Sequence, residues 1–263
     1  MRGFRSFRGR VTGIGIAVLA VLGMLIAPAI AAPDNTEGDV DTLGLYLVNS
    51  RYTGDPNETR GWQITWEVPE VTNVADGPTG AIGQWYFNLE SGIYHTADNG
   101  WGVYYFSDNN GLEENPAECS DTWDTGGICT EAPLNHLQPG QQVQFTYAWC
   151  DENNEPALDG SQLCVWVDLM DGQGQRFLAE DERSTVEMYA HDVETFADSD
   201  QLEIALSCET PTRMLGQQVL GTDGTWTTMT GESTWTFEDE SDRYTFQNVD
   251  TAADPATWES CSE

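Results

Sequence analysis

The stretch QWYFNLESGIYHTADNGWGVYYF, residues 84–106, decides the fold class. Its two ends, 84–89 and 101–106, are runs of aromatic and aliphatic residues that are each short enough to be one strand. Asp98-Asn99-Gly100 lies directly before the second run, and Asn and Gly accept the backbone conformations that tight hairpin turns need. The stretch therefore predicts antiparallel β-structure.

The same pattern continues along the chain, where short apolar runs alternate with Gly, Pro, Asn and Asp. Residues 186–196 come nearest to a helical period, but no segment shows one convincingly. We therefore predict an all-β fold, a sandwich of two antiparallel sheets. The other predicted strands are 44–48, 62–68, 143–149, 165–169, 176–178, 186–189, 202–206, 225–229, 234–237 and 244–249.

The N-terminus has the three parts of a secretory signal: four arginines, an apolar run at 11–26, and Ala29-Ile30-Ala31 before a predicted cleavage at Ala32. An uncleaved membrane anchor is the alternative, because the apolar run approaches spanning length. We favour a secreted, extracellular protein. The predicted organisation is a signal peptide at 1–31, a disordered segment at 32–42, a β-sandwich domain at 43–220, and a C-terminal β-hairpin extension at 221–263 tied by Cys261.

Six cysteines in an exported chain predict three disulfides, and fifteen pairings are possible. Residues 151–160 have the composition of a loop, so the cysteines on either side would meet at the base of a long hairpin. The sequence has no CxxC and no suitably placed His, so we predict no zinc site. Local context favours the pairs Cys119–Cys129, Cys150–Cys164 and Cys208–Cys261.

The chain is strongly acidic, with 44 carboxylates, a formal net charge of −34 and no lysine. Such a surface repels nucleic acid and anionic membranes, so both are excluded as partners. The charge is explained either by solubility or by adaptation to a saline medium, since salt screens self-repulsion.

Acidic loops are the only candidate metal sites in the sequence, because calcium prefers several oxygen ligands. One candidate loop is Asp108-Asn109-Asn110 with Glu113, and the other is Asp151 with Asn153 and Asp159. Neither has EF-hand spacing, and a solvated acidic loop is the default interpretation. We predict no cofactor, with calcium as the one candidate ion.

Ten tryptophans and nine tyrosines make aromatic platforms for sugar rings a reasonable expectation. For each residue taken alone, a place in the core is the more common outcome for an aromatic side chain in a strand. The candidate ligand-binding residues are Trp62, Trp66, Trp85, Trp101 and Tyr104.

Several motifs occur in the order found in glutamic peptidases (eqolisins): Trp66-Glu-Val-Pro69, Trp85-Tyr-Phe, and 103–106. The chain resembles that family, and the resemblance implies that Glu187 is its catalytic carboxyl, acting as general acid and base. The family's catalytic Gln, which helps to stabilise the oxyanion, is matched here by His95. This departure would change the chemistry.

A second resemblance is to an uncharacterised group of secreted bacterial proteins of the concanavalin-like jelly-roll type. It covers about half of the mature chain through short motifs, and it implies the fold and an exported protein. The motifs are 85–89, Gly92-Ile-Tyr94, 104–107, Gly140-Gln-Gln-Val143, Trp166-Val-Asp168, Glu187-Met-Tyr189 and Cys208-Glu-Thr-Pro211.

The preferred interpretation is a secreted jelly-roll domain that binds an extracellular polymer, above all a glycan. The rival is an extracellular acid hydrolase of glutamic-peptidase type that uses Glu187, with His95 in the place of the Gln. A structural component of the cell envelope is the third hypothesis. We expect no membrane contact after signal cleavage, and we expect a monomer.

Overall fold

The protein is described from a computed structural model. The structure describes residues 43–52, 58–74, 80–87, 89–107, 119, 121–123, 126–182, 188–197, 204–229, 235–239, 244–250 and 257–262. The predicted signal peptide and the segment 32–42 lie outside these ranges. The strands are β1 (Leu43–Tyr52), β2 (Thr59–Glu67), β3 (Gly80–Tyr86), β4 (Leu89–Thr96), β5 (Gly100–Ser107), β6 (Asp121–Trp123), β7 (Gly126–Ile128), β8 (Asn135–Leu137), β9 (Gln142–Cys150), β10 (Gln162–Asp168), β11 (Arg176–Glu182), β12 (Met188–Ala197), β13 (Thr212–Gly221), β14 (Trp226–Thr228), β15 (Trp235–Asp239), β16 (Tyr244–Asp250) and β17 (Thr257–Ser262).

Two antiparallel sheets form a sandwich, which confirms the predicted fold class. The nine-stranded sheet has the order β15-β1-β12-β3-β4-β5-β7-β6, with β8 beside β5. The eight-stranded sheet has the order β11-β10-β9-β2-β13-β17-β16, with β14 beside β13. The described ranges contain no α-helix, and nothing in them could cross a membrane as a helix.

The stretch 84–106 contains more strand structure than the sequence predicts. The apolar run 84–89 is not one strand, because Tyr86 pairs with Leu89 and the chain reverses between them. Phe87 takes a left-handed backbone conformation at this reversal, with φ of 62°. Apolar composition does not reveal a turn of this kind, since Phe is unusual there. The predicted turn before Trp101 is confirmed: Gly100, with φ of 65°, closes the β4–β5 hairpin.

Three other segments were predicted from the sequence, and the structure agrees with these predictions to different degrees. Residues 188–197, which overlap most of the segment nearest to a helical period, form β12. The predicted strand 202–206 is described only from 204 onward, and there Leu206 makes an isolated bridge to Val71. In the predicted C-terminal extension, β16 and β17 form a hairpin, whereas β15 pairs with β1 in the other sheet. The segment 221–263 therefore contributes strands to both sheets.

Strand alternation builds the core between the sheets. In β2, Trp62, Ile64 and Trp66 are all 0% exposed, while the residues between them are partly exposed. The rings of Trp62 and Tyr147 stack with centroids 6.1 Å apart. Each large apolar side chain buried in this way contributes about 1.5–3 kcal/mol to folding. Every second residue of β2 and β9 is consequently free to form the outer face of the eight-stranded sheet.

All three predicted disulfides are confirmed: Cys119–Cys129, Cys150–Cys164 and Cys208–Cys261. Cys150 and Cys164 are diagonal neighbours across the β9–β10 pair rather than directly opposite, because Cys164 pairs with Ala148. Three disulfides are consistent with an extracellular protein.

Candidate functional site on the outer face of the eight-stranded sheet

Four of the five aromatic residues predicted to stack on sugars are buried. Trp62 and Trp66 are 0% exposed, Trp101 is 3% exposed and Tyr104 is 1% exposed. None of these four rings offers a face to solvent, so their placement does not support a stacking role. The side chain of Trp85 lies outside the described residues. Trp62, Trp66 and Trp101 lie in the main core, the position that strand aromatics usually take, and Tyr104 lies in a separate smaller cluster of buried residues.

Of the two residues of the predicted peptidase site, only His95 lies among the described residues. Glu187 lies outside the described residues, but its neighbour Met188 pairs with Tyr86, and Tyr86 pairs with Leu89. His95 lies six residues further along β4, which is about 20 Å along a strand. The His95 side chain is buried, and its ring packs edge-on against Trp101 with centroids 5.2 Å apart.

On the outer face of the nine-stranded sheet, the side chains where β4 and β5 pair are buried against one another. Glu90 is 0% exposed there and accepts a hydrogen bond of 2.6 Å from the Tyr104 hydroxyl. The Tyr104 ring lies against Gly92, where a Cβ atom would be only 2.8 Å from ring atom Cε1. Tyr94 packs edge-on against Tyr104. In the described part of this face, the Glu90 carboxylate is therefore not open to a substrate.

A polar network joins the two sheets inside the core. The indole N–H of Trp66 donates to Gln84 Oε1 at 2.7 Å, and Gln84 Nε2 donates to Ser91 Oγ at 3.0 Å. The hydroxyl of Tyr147 lies 2.6 Å from Ser91 Oγ and donates to the Gln84 carbonyl oxygen at 3.0 Å. Burial raises the pKa of Tyr147, an effect that its hydrogen bonds with Ser91 and Gln84 partly oppose. These contacts fix the sheets relative to each other.

The opposite side of β2 and β9 carries a reciprocal pair of Gln-x-Thr motifs. Gln63 pairs with Thr146 and Thr65 pairs with Gln144 across the two antiparallel strands. Gln63 Nε2 donates to Thr146 Oγ1 at 3.0 Å, and Gln144 Nε2 donates to Thr65 Oγ1 at 3.0 Å. Gln175 Nε2 also donates to Thr146 Oγ1, at 2.9 Å. We call this surface the amide face, and it consists of Gln63, Thr65, Gln144, Thr146, Gln175 and Gln218.

The amide face lines a shallow groove of about 150 Å³. Gly216 pairs with Thr65 and contributes no side chain, which leaves a depression between its neighbours. Within the described part of the chain, the amide oxygens of Gln63, Gln144 and Gln175 accept no hydrogen bond from the protein. The groove lining is wholly uncharged and consists of Gln63, Thr65, Gln144, Gly216, Gln217, Gln218 and Thr228.

Aromatic residues border the amide face on two sides. Trp226 on β14 is 37% exposed, and a Cβ atom at Gly61 would lie 3.2 Å from its ring, so the ring lies over that glycine. On the other side, Trp166 packs edge-on against Phe177 with centroids 6.4 Å apart. Polar groups in a groove beside an exposed ring are the arrangement that sugar recognition requires, because rings stack and amides exchange hydrogen bonds with hydroxyls.

The acidic loops give no test of the calcium prediction. The candidate loop at Asp108–Glu113 lies outside the described residues. In the second loop, Asp151 accepts hydrogen bonds from the backbone N–H groups of Asn153 and Glu155, and these bonds lower the pKa of its carboxyl. Among the described residues, no cluster of three or more His, Cys, Asp or Glu is arranged to hold a metal. Calcium binding stays a prediction.

The sequence analysis missed the amide face, although its signal is present. Gln63-Ile-Thr65 and Gln144-Phe-Thr146 have the same polar-apolar-polar pattern on two predicted strands. Once these strands are known to be antiparallel neighbours, matching patterns place each glutamine opposite a threonine. The sequence shows the pattern but not which strands are neighbours.

Comparisons with known proteins identify no family. No family model matches the chain, and no curated protein matches it. Among solved structures, the crystal structure of scytalido-glutamic peptidase with a transition state analog inhibitor is similar, with a TM-score of 0.47 and 10% sequence identity. The match covers 85% of this chain and 100% of that chain. That protein is a glutamic peptidase, and the glutamic peptidases are one of the two groups that the sequence resembles.

Proposed function

We propose that this protein is an exported module that binds an extracellular glycan through the amide face. The observation that carries the proposal is the reciprocal ladder of Gln63 with Thr146 and Gln144 with Thr65. The ladder holds two amide groups in fixed orientations beside an open groove. Because each glutamine is anchored through one N–H, its carbonyl oxygen is oriented before a ligand arrives. Groups that are already oriented lose less conformational freedom on binding.

Sugar hydroxyls are both donors and acceptors, and the amide face offers both complementary groups. Trp226 adds an exposed aromatic surface at the border of the groove. The proposed export rests on the leader at 1–31, and the resemblance to the concanavalin-like bacterial group also implies an exported protein.

The test is retention of the mature protein on immobilised polysaccharides, followed by calorimetry with the polymer that is retained. Gln63→Ala should weaken binding by about five- to tenfold, the equivalent of one lost hydrogen bond. Gln173→Ala is the matched control, because this exposed glutamine lies in the β10–β11 turn outside the groove lining. If Gln63→Ala and Gln173→Ala bound the polymer with equal affinity, at unchanged melting temperature, the amide face would not be the binding site.

A second candidate is an acid hydrolase of glutamic-peptidase type that uses Glu187. The observation in its favour is that β12, which begins directly after Glu187, pairs with β3 in the sheet that also holds β4 and β5. His95, the residue that the resemblance matches to the family's Gln, lies on β4 of the same sheet.

Incubation with casein at acidic pH tests this second candidate. Cleavage that is lost in Glu187→Gln but kept in Gln63→Ala would support the hydrolase and assign it to the nine-stranded sheet. Absence of cleavage together with retention on a glycan supports the binding module. Self-assembly on addition of salt or calcium, without retention on a glycan, would favour a structural role in the cell envelope.

A further inference from the structure

We infer that the amide face selects a neutral, extended polysaccharide and that the polymer chain crosses the strands rather than following them. This inference rests on the proposed function, since it names the ligand class of the same site. Two independent features carry it: the register of the outer-face residues, and the distribution of charge around them.

The register aligns polar side chains in one row across four strands. Thr146 on β9 pairs with Gln63 on β2, Gln63 pairs with Gln218 on β13, and Gln218 pairs with Thr228 on β14. Residues paired in antiparallel strands point to the same face. The row therefore places an amide or a hydroxyl at each strand, over a length of about 14 Å at the usual separation between strands. Its first member, Thr146, is buried and serves as the acceptor that holds Gln63 and Gln175.

A repeating polymer suits such a row because its hydroxyl groups also recur at a regular interval. The row continues beyond Thr146 to an aromatic pair, since Trp166 pairs with Thr146 and Phe177 pairs with Trp166. Along the strand direction, by contrast, the groove is bounded at one end by the Arg213–Glu67 ion pair beyond Thr65, and at the other end by Gly61 with the Trp226 ring over it. An extended chain therefore finds more uncharged partners across the strands than along them.

Charge explains why the polymer should be neutral. The groove lining carries no ionisable group, and Glu67 and Asp168 lie on the same outer face at its border. The described arginine side chains are already engaged within the protein: Arg60 lies 3.8 Å from the centre of the Trp149 ring, Arg176 contacts Asp171, and Arg213 pairs with Glu67.

A uronate or sulfated chain would therefore bring its negative charge to an acidic protein, at a groove where each described arginine side chain already has a partner within the protein. A neutral chain avoids this repulsion and can use the same amides and hydroxyls. The selectivity against anionic chains should weaken as salt screens the repulsion.

The experiment measures dissociation constants for a neutral gluco-oligosaccharide series of increasing length and for uronate oligomers of matched length, at low and high NaCl. We expect neutral oligomers to bind at least about tenfold more tightly than uronates at low salt. Affinity should rise with length and level off once the oligomer spans the row. Thr228→Val, at one end of the row, should weaken the longer oligomers and leave the shortest unchanged, with Thr222→Val in the β13–β14 turn as its control.

Uronates that bind as tightly as neutral oligomers, with binding still lost in Gln63→Ala, would overturn this inference while leaving the proposed function in place. Affinity that does not depend on length, or a Thr228→Val variant that behaves as wild type toward every length, would overturn the orientation across the strands. If Gln63→Ala changes no affinity for either class of oligomer, the proposed function itself fails.

Discussion

Glutamines on the two sides of the eight-stranded sheet use the same amide group for different purposes. Gln84 projects from the neighbouring sheet into the core, is 0% exposed and satisfies Trp66, Ser91 and Tyr147 within the network between the sheets. Gln63, on the outer face, is partly exposed and uses its amide N–H to hold a single threonine. The first is out of reach of a ligand because it is fully buried, whereas the second has an amide oxygen that accepts no hydrogen bond from the described residues. Burial therefore separates a structural amide from one that is available for recognition.

The largest loss of stability should come from replacing Gln84, the buried glutamine. Gln84→Ala removes the acceptor of the Trp66 indole N–H and a hydrogen-bond partner of Ser91 and Tyr147, and water cannot easily reach a site of this depth. We expect the free energy of unfolding to fall by about 3 kcal/mol, since buried polar groups that lose their partners cost on this scale. Denaturant unfolding measures it, and Gln173→Ala should stay within about 0.5 kcal/mol of wild type. If Gln84→Ala and Gln173→Ala unfolded at the same denaturant concentration, the conclusion that the buried amide is structural would be wrong.

The core should also be more sensitive to alkaline pH than the amide face. Burial raises the pKa of Tyr105 from 10 to about 12, so the unfolded chain loses this proton at lower pH than the folded protein. The corresponding stability is fully present below pH 10 and is lost as the pH rises to 12, by at most about 2 kcal/mol once solvent screening is allowed for.

Chemical denaturation between pH 9 and pH 12 measures this loss, and Tyr105→Phe should flatten the curve. Tyr147, whose pKa burial also raises, should account for part of the slope that remains. Glycan affinity should stay constant over the range in which the protein remains folded, because the groove lining contains only Gln, Thr and Gly. A stability curve that is flat through pH 12 would show that these hydroxyls are not buried as described.

The sequence predicts the parts of this molecule that depend on local pattern. Alternation in 62–68 and 143–149 reveals both strands of the amide face, and loop composition between Cys150 and Cys164 leads to the correct disulfide. Local pattern fails at Phe87, where an aromatic residue takes a left-handed backbone conformation that is unusual for its type.

Pattern alone also could not locate the candidate site. Which tryptophan lies in the core and which on the surface depends on sheet pairing: Trp62 is buried, whereas Trp226 is exposed on the short strand β14. The row of Thr146, Gln63, Gln218 and Thr228 comes from four strands whose order in the sheet no local signal encodes. The peptidase hypothesis has the same weakness, because it joins Glu187 and His95 by sequence order without knowledge of the register.

The smallest effect on stability, and the sharpest test of the comparison, should come from Thr146→Val. This substitution keeps the side-chain shape and removes the one oxygen that accepts hydrogen bonds from both Gln63 and Gln175. The two amide groups can turn toward water, so we expect the free energy of unfolding to fall by less than about 1 kcal/mol. Glycan affinity should fall severalfold, because both amides lose the orientation that the threonine gives them. Unfolding and calorimetry on the same preparation separate the two effects. A loss of stability as large as that of Gln84→Ala would make the amide face a structural element, and an unchanged affinity would show that the orientation of these amides does not matter for binding.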